Sequence, residues 1–177
     1  MKYETIAEVY EANDRIQEKL KSIVGNLTEE QADFLPVDGK WTVAQIVEHL
    51  SKVEDGMTKI FAKLLKQAQA EGKTSDGTVK LSGAFLEGIA KIAEQKLEAL
   101  EIVHPEGKQT IAESLAAMKK NRQKLEELRP LFETVEGTGF TFPHPAFGEI
   151  NAHDWLALIG GHTFRHIRQI EKILAQQ

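Results

Sequence analysis

The stretch GGHTFRHIRQI, residues 160–170, sets His162 and His166 four positions apart. In a helix that spacing stacks two imidazoles on one face, a turn apart, which is how a helix offers two nitrogens to one ion. A third histidine, His49, stands in WTVAQIVEHL, residues 41–50. Three imidazoles leave coordination positions open for water or a substrate atom, so the set reads as a reactive centre for a divalent metal ion. The competing reading is structural: histidines half-buried in a helical interior, bonded to backbone or to glutamate side chains.

Helical geometry sharpens the first reading. At about 100° per residue with His162 at zero, His166 falls near +40°, Trp155 and Ile173 near +20°, Leu158 near −40° and Ile159 near +60°. Both histidines are thus expected in the middle of an apolar stripe, with the opposite side mixed and interrupted by Phe164 and Ile167. Burying a polar ring without a hydrogen bond costs about 1–3 kcal/mol. A shared ion relieves both rings, each giving one nitrogen to the metal and the other to a neighbouring acceptor. The Gly160-Gly161 pair predicts close packing or ligand access, since each mid-helix glycine costs about 1 kcal/mol relative to alanine. His49 lies about 60° from Ile46, on the flank of its own helix's apolar stripe, from which it can meet the other two inside a bundle.

The remaining polar candidates are weaker. His104 precedes Pro105 in a polar turn and is expected in solvent. His144, between Pro143 and Pro145, is expected to be structural, with a place at a pocket mouth as the alternative. His153 falls about 180° from His162 and is expected to be exposed. Glu48, Glu149 and Asp154 are the carboxylates nearest the histidines in sequence. None is singled out as an acid or base, so no catalytic residue is assigned.

The elements that must position these side chains are helical. Capping boxes recur as Thr5 with Glu8, Thr28 with Gln31, Thr42 with Gln45 and Thr110 with Glu113, and Asn151 with Asp154 is a looser version. They predict helices over about Thr5–Val24, a short turn of helix after Thr28 ending before Pro36, and a long helix from after Trp41 to near Gly72. Lys73–Lys80 reads as a polar loop. A helix carrying Phe85, Ile89 and Ile92 is predicted to end near Ile102, and another spans about Ile111–Thr134, kinked or cut short at Pro130. Gly137–Glu149, rich in Gly, Pro and Phe, reads as an ordered loop, and the last helix as Ala152–Ala175. With no convincing strand pattern, the fold class is all-α: a four-helix bundle of long helices with one or two additional short helices, residues 1–177 forming one domain.

Composition agrees. The chain has 177 residues, 41% hydrophobic and 28% charged, and a net charge of −5 from 22 basic and 27 acidic residues. No basic cluster suited to phosphate binding is visible, so no nucleic-acid partner is expected. No apolar run approaches the roughly 18 residues of a membrane span, and no signal peptide is read, so a cytoplasmic protein without a membrane partner is expected. There is no cysteine. Any metal site therefore lacks thiolate, and any thiol nucleophile must come from outside the chain.

HPAFGEINAHDWLALIGGHTFRHIRQI, His144–Ile170, resembles the DinB-like superfamily of four-helix proteins. Its marks are a Trp followed by a helix ending in His-Leu, here Trp41 and His49-Leu50, then a late H-x-x-x-H followed by a Gln-Ile, here His162, His166, Gln169 and Ile170. The resemblance follows the helix order over nearly the whole chain and implies a divalent ion, commonly zinc or nickel, on His49, His162 and His166, with water completing the shell. Manganese accepts the same donors. Several members use the metal to activate a low-molecular-weight thiol, such as bacillithiol or mycothiol, for transfer to an electrophile or for isomerisation. The expected function is thus a metal-dependent enzyme moving a small thiol onto an electrophilic small molecule. A metal-dependent hydrolase, a non-catalytic metal or small-ligand binder and a purely structural bundle are the alternatives. The broad apolar faces permit a homodimer.

Overall fold

The computed structural model describes residues 3–37, 39–92 and 99–177. Among the described residues six α-helices and one hairpin follow in order: α1 (Ile6–Val24), α2 (Glu29–Asp33), α3 (Val43–Ala70), α4 (Gly83–Ile92), α5 (Ile111–Thr134), β1 (Thr141–His144), β2 (Gly148–Asn151) and α6 (Ala152–Leu174). A 3-10 turn, Glu101–Val103, precedes α5. The molecule is a helical bundle in which α1, α3, α5 and α6 are the long helices.

Local chemistry sets the starts. At the N-termini of α1, α2, α3, α5 and α6 the cap side chain accepts the N–H three residues on, and that residue's side chain accepts the cap's own N–H. Two backbone donors at each helix start are thereby satisfied. Pro130 lies inside α5, which continues to Thr134 rather than stopping. The predicted helix from Phe85 runs as α4 to Ile92, and its continuation over 93–98 lies outside the described residues. Over 99–110, up to the start of α5, the backbone is not α-helical.

The principal packing partners of α6 are α1 and α3, and α5 packs on α3 and α1, which closes a four-helix ring. Two apolar clusters fill it. One, around Tyr10, Phe61, Leu65, Phe132, Trp155 and Leu156, lies at the end that carries the hairpin. The other, around Leu20, Ile46, Leu50, Met118, Ile167 and Ile170, lies beyond it. Polar side chains from α1, α3 and α5, namely Asn13 and Gln17, Glu54 and Thr58, Asn121 and Arg122, line a cavity of about 10 Å³ together with Leu125 and Ile159. Glu54 is buried there, accepting a hydrogen bond from Gln17, and burial raises its pKa to about 8.

The expected loop over 137–149 is instead largely a hairpin. β1 and β2 pair antiparallel with Phe142 opposite Ile150 and His144 opposite Gly148. Phe147 N–H donates to the His144 carbonyl, and Gly148 at φ +68° completes a three-residue turn with a left-handed residue. Pro143 and Pro145 concealed these short strands, since proline withholds the N–H a ladder uses. The polar loop 73–80 runs beneath the bundle end. Ile6 N–H donates to Gly77, Val79 to Glu4, and Ser75 to Thr134.

Candidate metal centre

His49 comes from α3; His162 and His166 come from α6. These helices pack together, and the bundle brings the three rings to one place. Ring centroids lie 5.3 Å apart for His49–His162, 5.0 Å for His49–His166 and 4.6 Å for His162–His166. One ring nitrogen from each lies within 4.8 Å of the other two, and among the described residues no carboxylate or further histidine joins the group.

Each ring's orientation has a cause. His49 Nδ1 lies 2.8 Å from the Val103 carbonyl oxygen. A carbonyl only accepts, so Nδ1 carries the proton and the Nε2 lone pair is free. His166 Nδ1 sits 2.9 Å from Gln169 Oε1, which fixes the same tautomer. A histidine ligand held through its second nitrogen by a carbonyl is how proteins aim imidazole at a metal. His49 is further held against Trp41, centroids 4.8 Å apart, and Trp41 meets His104 edge-on at 5.8 Å.

The site keeps its rings neutral. Burial lowers the pKa of all three histidines, and their mutual proximity lowers it further for His162 and His166; His166 falls to about 4. The side-chain charges beyond the histidines that act on them, Lys52 on His49 and Arg165 on His162 and His166, are cationic. Neutral imidazoles have lone pairs available for a divalent cation, and an all-nitrogen donor set leaves such an ion's double positive charge uncompensated for an incoming anion.

Two placements differ from expectation. The histidine pair does not occupy the centre of the α6 core stripe. Gly160, Thr163, Ile167 and Ile170 are buried, whereas His162 and His166 are half-buried. The core-facing direction therefore runs through Thr163 and Ile170, and the histidines sit at its edge, where a ligand can approach. Ile167, read as interrupting the polar side, is wholly buried. His153 is not exposed but 1% accessible. Its Nδ1 accepts the Lys80 N–H at 3.1 Å, and Phe132 packs 6.3 Å away. A helical wheel cannot foresee this, because the 73–80 loop and α5 cover the first turn of α6 from outside that helix.

The other candidates have structural partners. His104 is exposed. His144 packs between Phe147 (4.7 Å) and Trp155 (5.3 Å), its Nδ1 accepting the Ala146 N–H. Asp154 is fully buried and accepts the N–H groups of Ser82 and Asn151. Glu149 accepts the Thr141 hydroxyl on the surface. Glu48 is 1% accessible and accepts two backbone N–H groups, from Glu106 and Gly107. None joins the histidine cluster. Gly160 serves packing: a Cβ there would lie 2.3 Å from Asn13 Oδ1 of α1.

Comparison with known proteins agrees with this geometry. The chain is 22% identical over 153 residues to the uncharacterized protein YuaE of Bacillus subtilis (strain 168), covering 83% of this chain and 85% of that protein. Among the described residues no helix is long and apolar enough to cross a membrane. The sequence model of the DinB superfamily matches residues 12–170, a span that takes in all three clustered histidines, the whole of α3 and α5 and most of α1 and α6. On that match the chain belongs to the DinB superfamily, and its three-histidine cluster fits a divalent metal ion.

Proposed function

We propose that the protein is a metal-dependent enzyme that transfers a low-molecular-weight thiol to an electrophilic small molecule, with His49, His162 and His166 as ligands of a zinc or nickel ion. The observation that carries this reading is the convergence of three imidazoles, with lowered pKa values, and no carboxylate or fourth histidine among the described residues. A structural zinc site has four protein ligands; three leave room for a reactant.

A divalent ion held there supplies Lewis acidity that favours the thiolate over the thiol at neutral pH. The chain's own part is orientation and electrostatics. Val103 and Gln169 fix two of the rings. Arg165 adds positive charge at the cluster, which favours an anionic ligand such as a thiolate. The nucleophile must be external, because the chain has no cysteine.

The test is direct. Protein loaded with zinc or nickel is incubated with candidate small thiols and an electrophile such as a haloarene or an epoxide, and products are separated by mass. A thioether whose formation depends on protein, metal and thiol together supports transfer. Water addition to the electrophile, unaffected by thiol, would replace this reading with a hydrolase at the same centre.

A further inference from the structure

We infer that Glu48 is a positioning residue for the metal centre: its buried carboxylate clamps the 103–107 loop so that the Val103 carbonyl reaches His49. The inference rests on the proposed metal-binding role of His49.

Glu48 precedes His49 on α3, so its side chain leaves the helix about 100° away from the imidazole and faces a different neighbour. Oε1 accepts the Glu106 N–H and Oε2 the Gly107 N–H, each at 2.9 Å. Two successive backbone N–H groups converging on one carboxylate make a small anion-binding concavity. Gly107 at φ +68° forms it, a conformation side chains disfavour. Lys52, one turn on, contacts Glu48 Oε1 at 3.2 Å and donates to the His104 carbonyl at 3.0 Å and to Glu106 Oε1 at 3.1 Å. The loop is therefore anchored on α3 at His104, Glu106 and Gly107. Val103, immediately before these anchors, is the residue whose carbonyl accepts the hydrogen bond from His49 Nδ1.

A buried carboxylate is an expensive way to fasten a surface loop, and burial opposes its ionisation. The two N–H groups and Lys52 nonetheless hold its pKa below the ordinary glutamate value. The arrangement converts a charged anchor on α3 into a defined position for one carbonyl oxygen, and through it into a defined tautomer for one histidine. His166 is independent of it, because its own partner, Gln169, lies on α6.

The experiment compares wild type with Glu48→Gln, Gly107→Ala and Lys52→Met. The readouts are zinc affinity by chelator competition and the histidine side-chain tautomers of the metal-free protein by long-range proton–nitrogen NMR. Gln at 48 turns one acceptor into a donor facing an N–H. Ala at 107 strains the loop at its left-handed residue, and its only close neighbour on α3 is the end of the Gln45 side chain, 3.3 Å from the new Cβ. Both are expected to weaken zinc about ten- to a hundredfold and to spread His49 over both tautomers, leaving His166 on its single one. Lys52→Met, which keeps both N–H bonds to Glu48 but removes the anchors at the His104 carbonyl and Glu106, is expected to shift both readouts in the same direction by less than Glu48→Gln. Should Glu48→Gln not fold, Gly107→Ala carries the same test. Unchanged affinity and an unchanged His49 tautomer would overturn the inference, and so would equal disturbance of His166. If wild type bound no metal, the proposed function would fall, while the tautomer comparison would still decide whether Glu48 orients His49.

Discussion

His49 and Val103, 54 residues apart in sequence, are joined by a 2.8 Å hydrogen bond from the imidazole Nδ1 to the carbonyl oxygen. That bond directs the free Nε2 of His49 towards His162 and His166 and links α3 to the loop entering α5. The candidate metal centre is thus more than three histidines; each carbonyl that holds a ring is part of it.

Gln169 plays the matching part for His166. It is exposed, so changing it should leave the fold intact. Gln169→Leu is expected to weaken zinc about tenfold or more while the thermal midpoint stays near wild type. Chelator competition beside a circular dichroism melt checks both halves.

Two of the helical glycines, Gly160 and Gly56, predict opposite effects. Alanine at 160 would drive its Cβ into Asn13 and approach Ile16 at 3.1 Å, forcing α1 from α6. A loss of about 1–3 kcal/mol is expected from such overpacking. Nothing lies within 4 Å of a Cβ at Gly56. There alanine should stabilise α3 by up to about 1 kcal/mol through helix propensity. Urea denaturation of the two variants decides.

Glu54 sets an alkaline limb of the stability profile. Its folded pKa, about 8, lies above its ordinary value of 4.5, so between these the native state holds a proton that the unfolded chain has released. The contribution is full below pH 4.5 and is lost as pH rises through about 8, with a slope approaching about 1.4 kcal/mol per pH unit. The buried histidines act oppositely: with folded pKa values below 6.5, they cost stability as pH falls below that value. Glu54→Gln should flatten the decline between pH 5 and 8 and leave the acid side unchanged, as read from urea midpoints across pH.

The helices were legible because their signals are local. Thr5, Thr28, Thr42, Thr110 and Asn151 each cap through residues two or three places on, and all five caps are present. The His162–His166 pair was legible for the same reason. What the sequence concealed depends on distant contacts. His153 is buried by Lys80 and Phe132. The hairpin is masked by two prolines. Glu54 lies on a helix whose apolar spacing gave no hint of a buried acid. The Glu48 clamp needs Gly107, brought near only by the fold.

The most direct test of the central claim is metal content, by elemental mass spectrometry, of untagged protein purified without added metal, beside His49→Ala and His162→Ala. About one equivalent of a divalent ion, lost in both variants while helical circular dichroism persists, is the predicted result. No bound metal in the wild-type protein, even after reconstitution with zinc, nickel or manganese, would contradict the account and leave the three histidines as a polar cluster at the edge of the core.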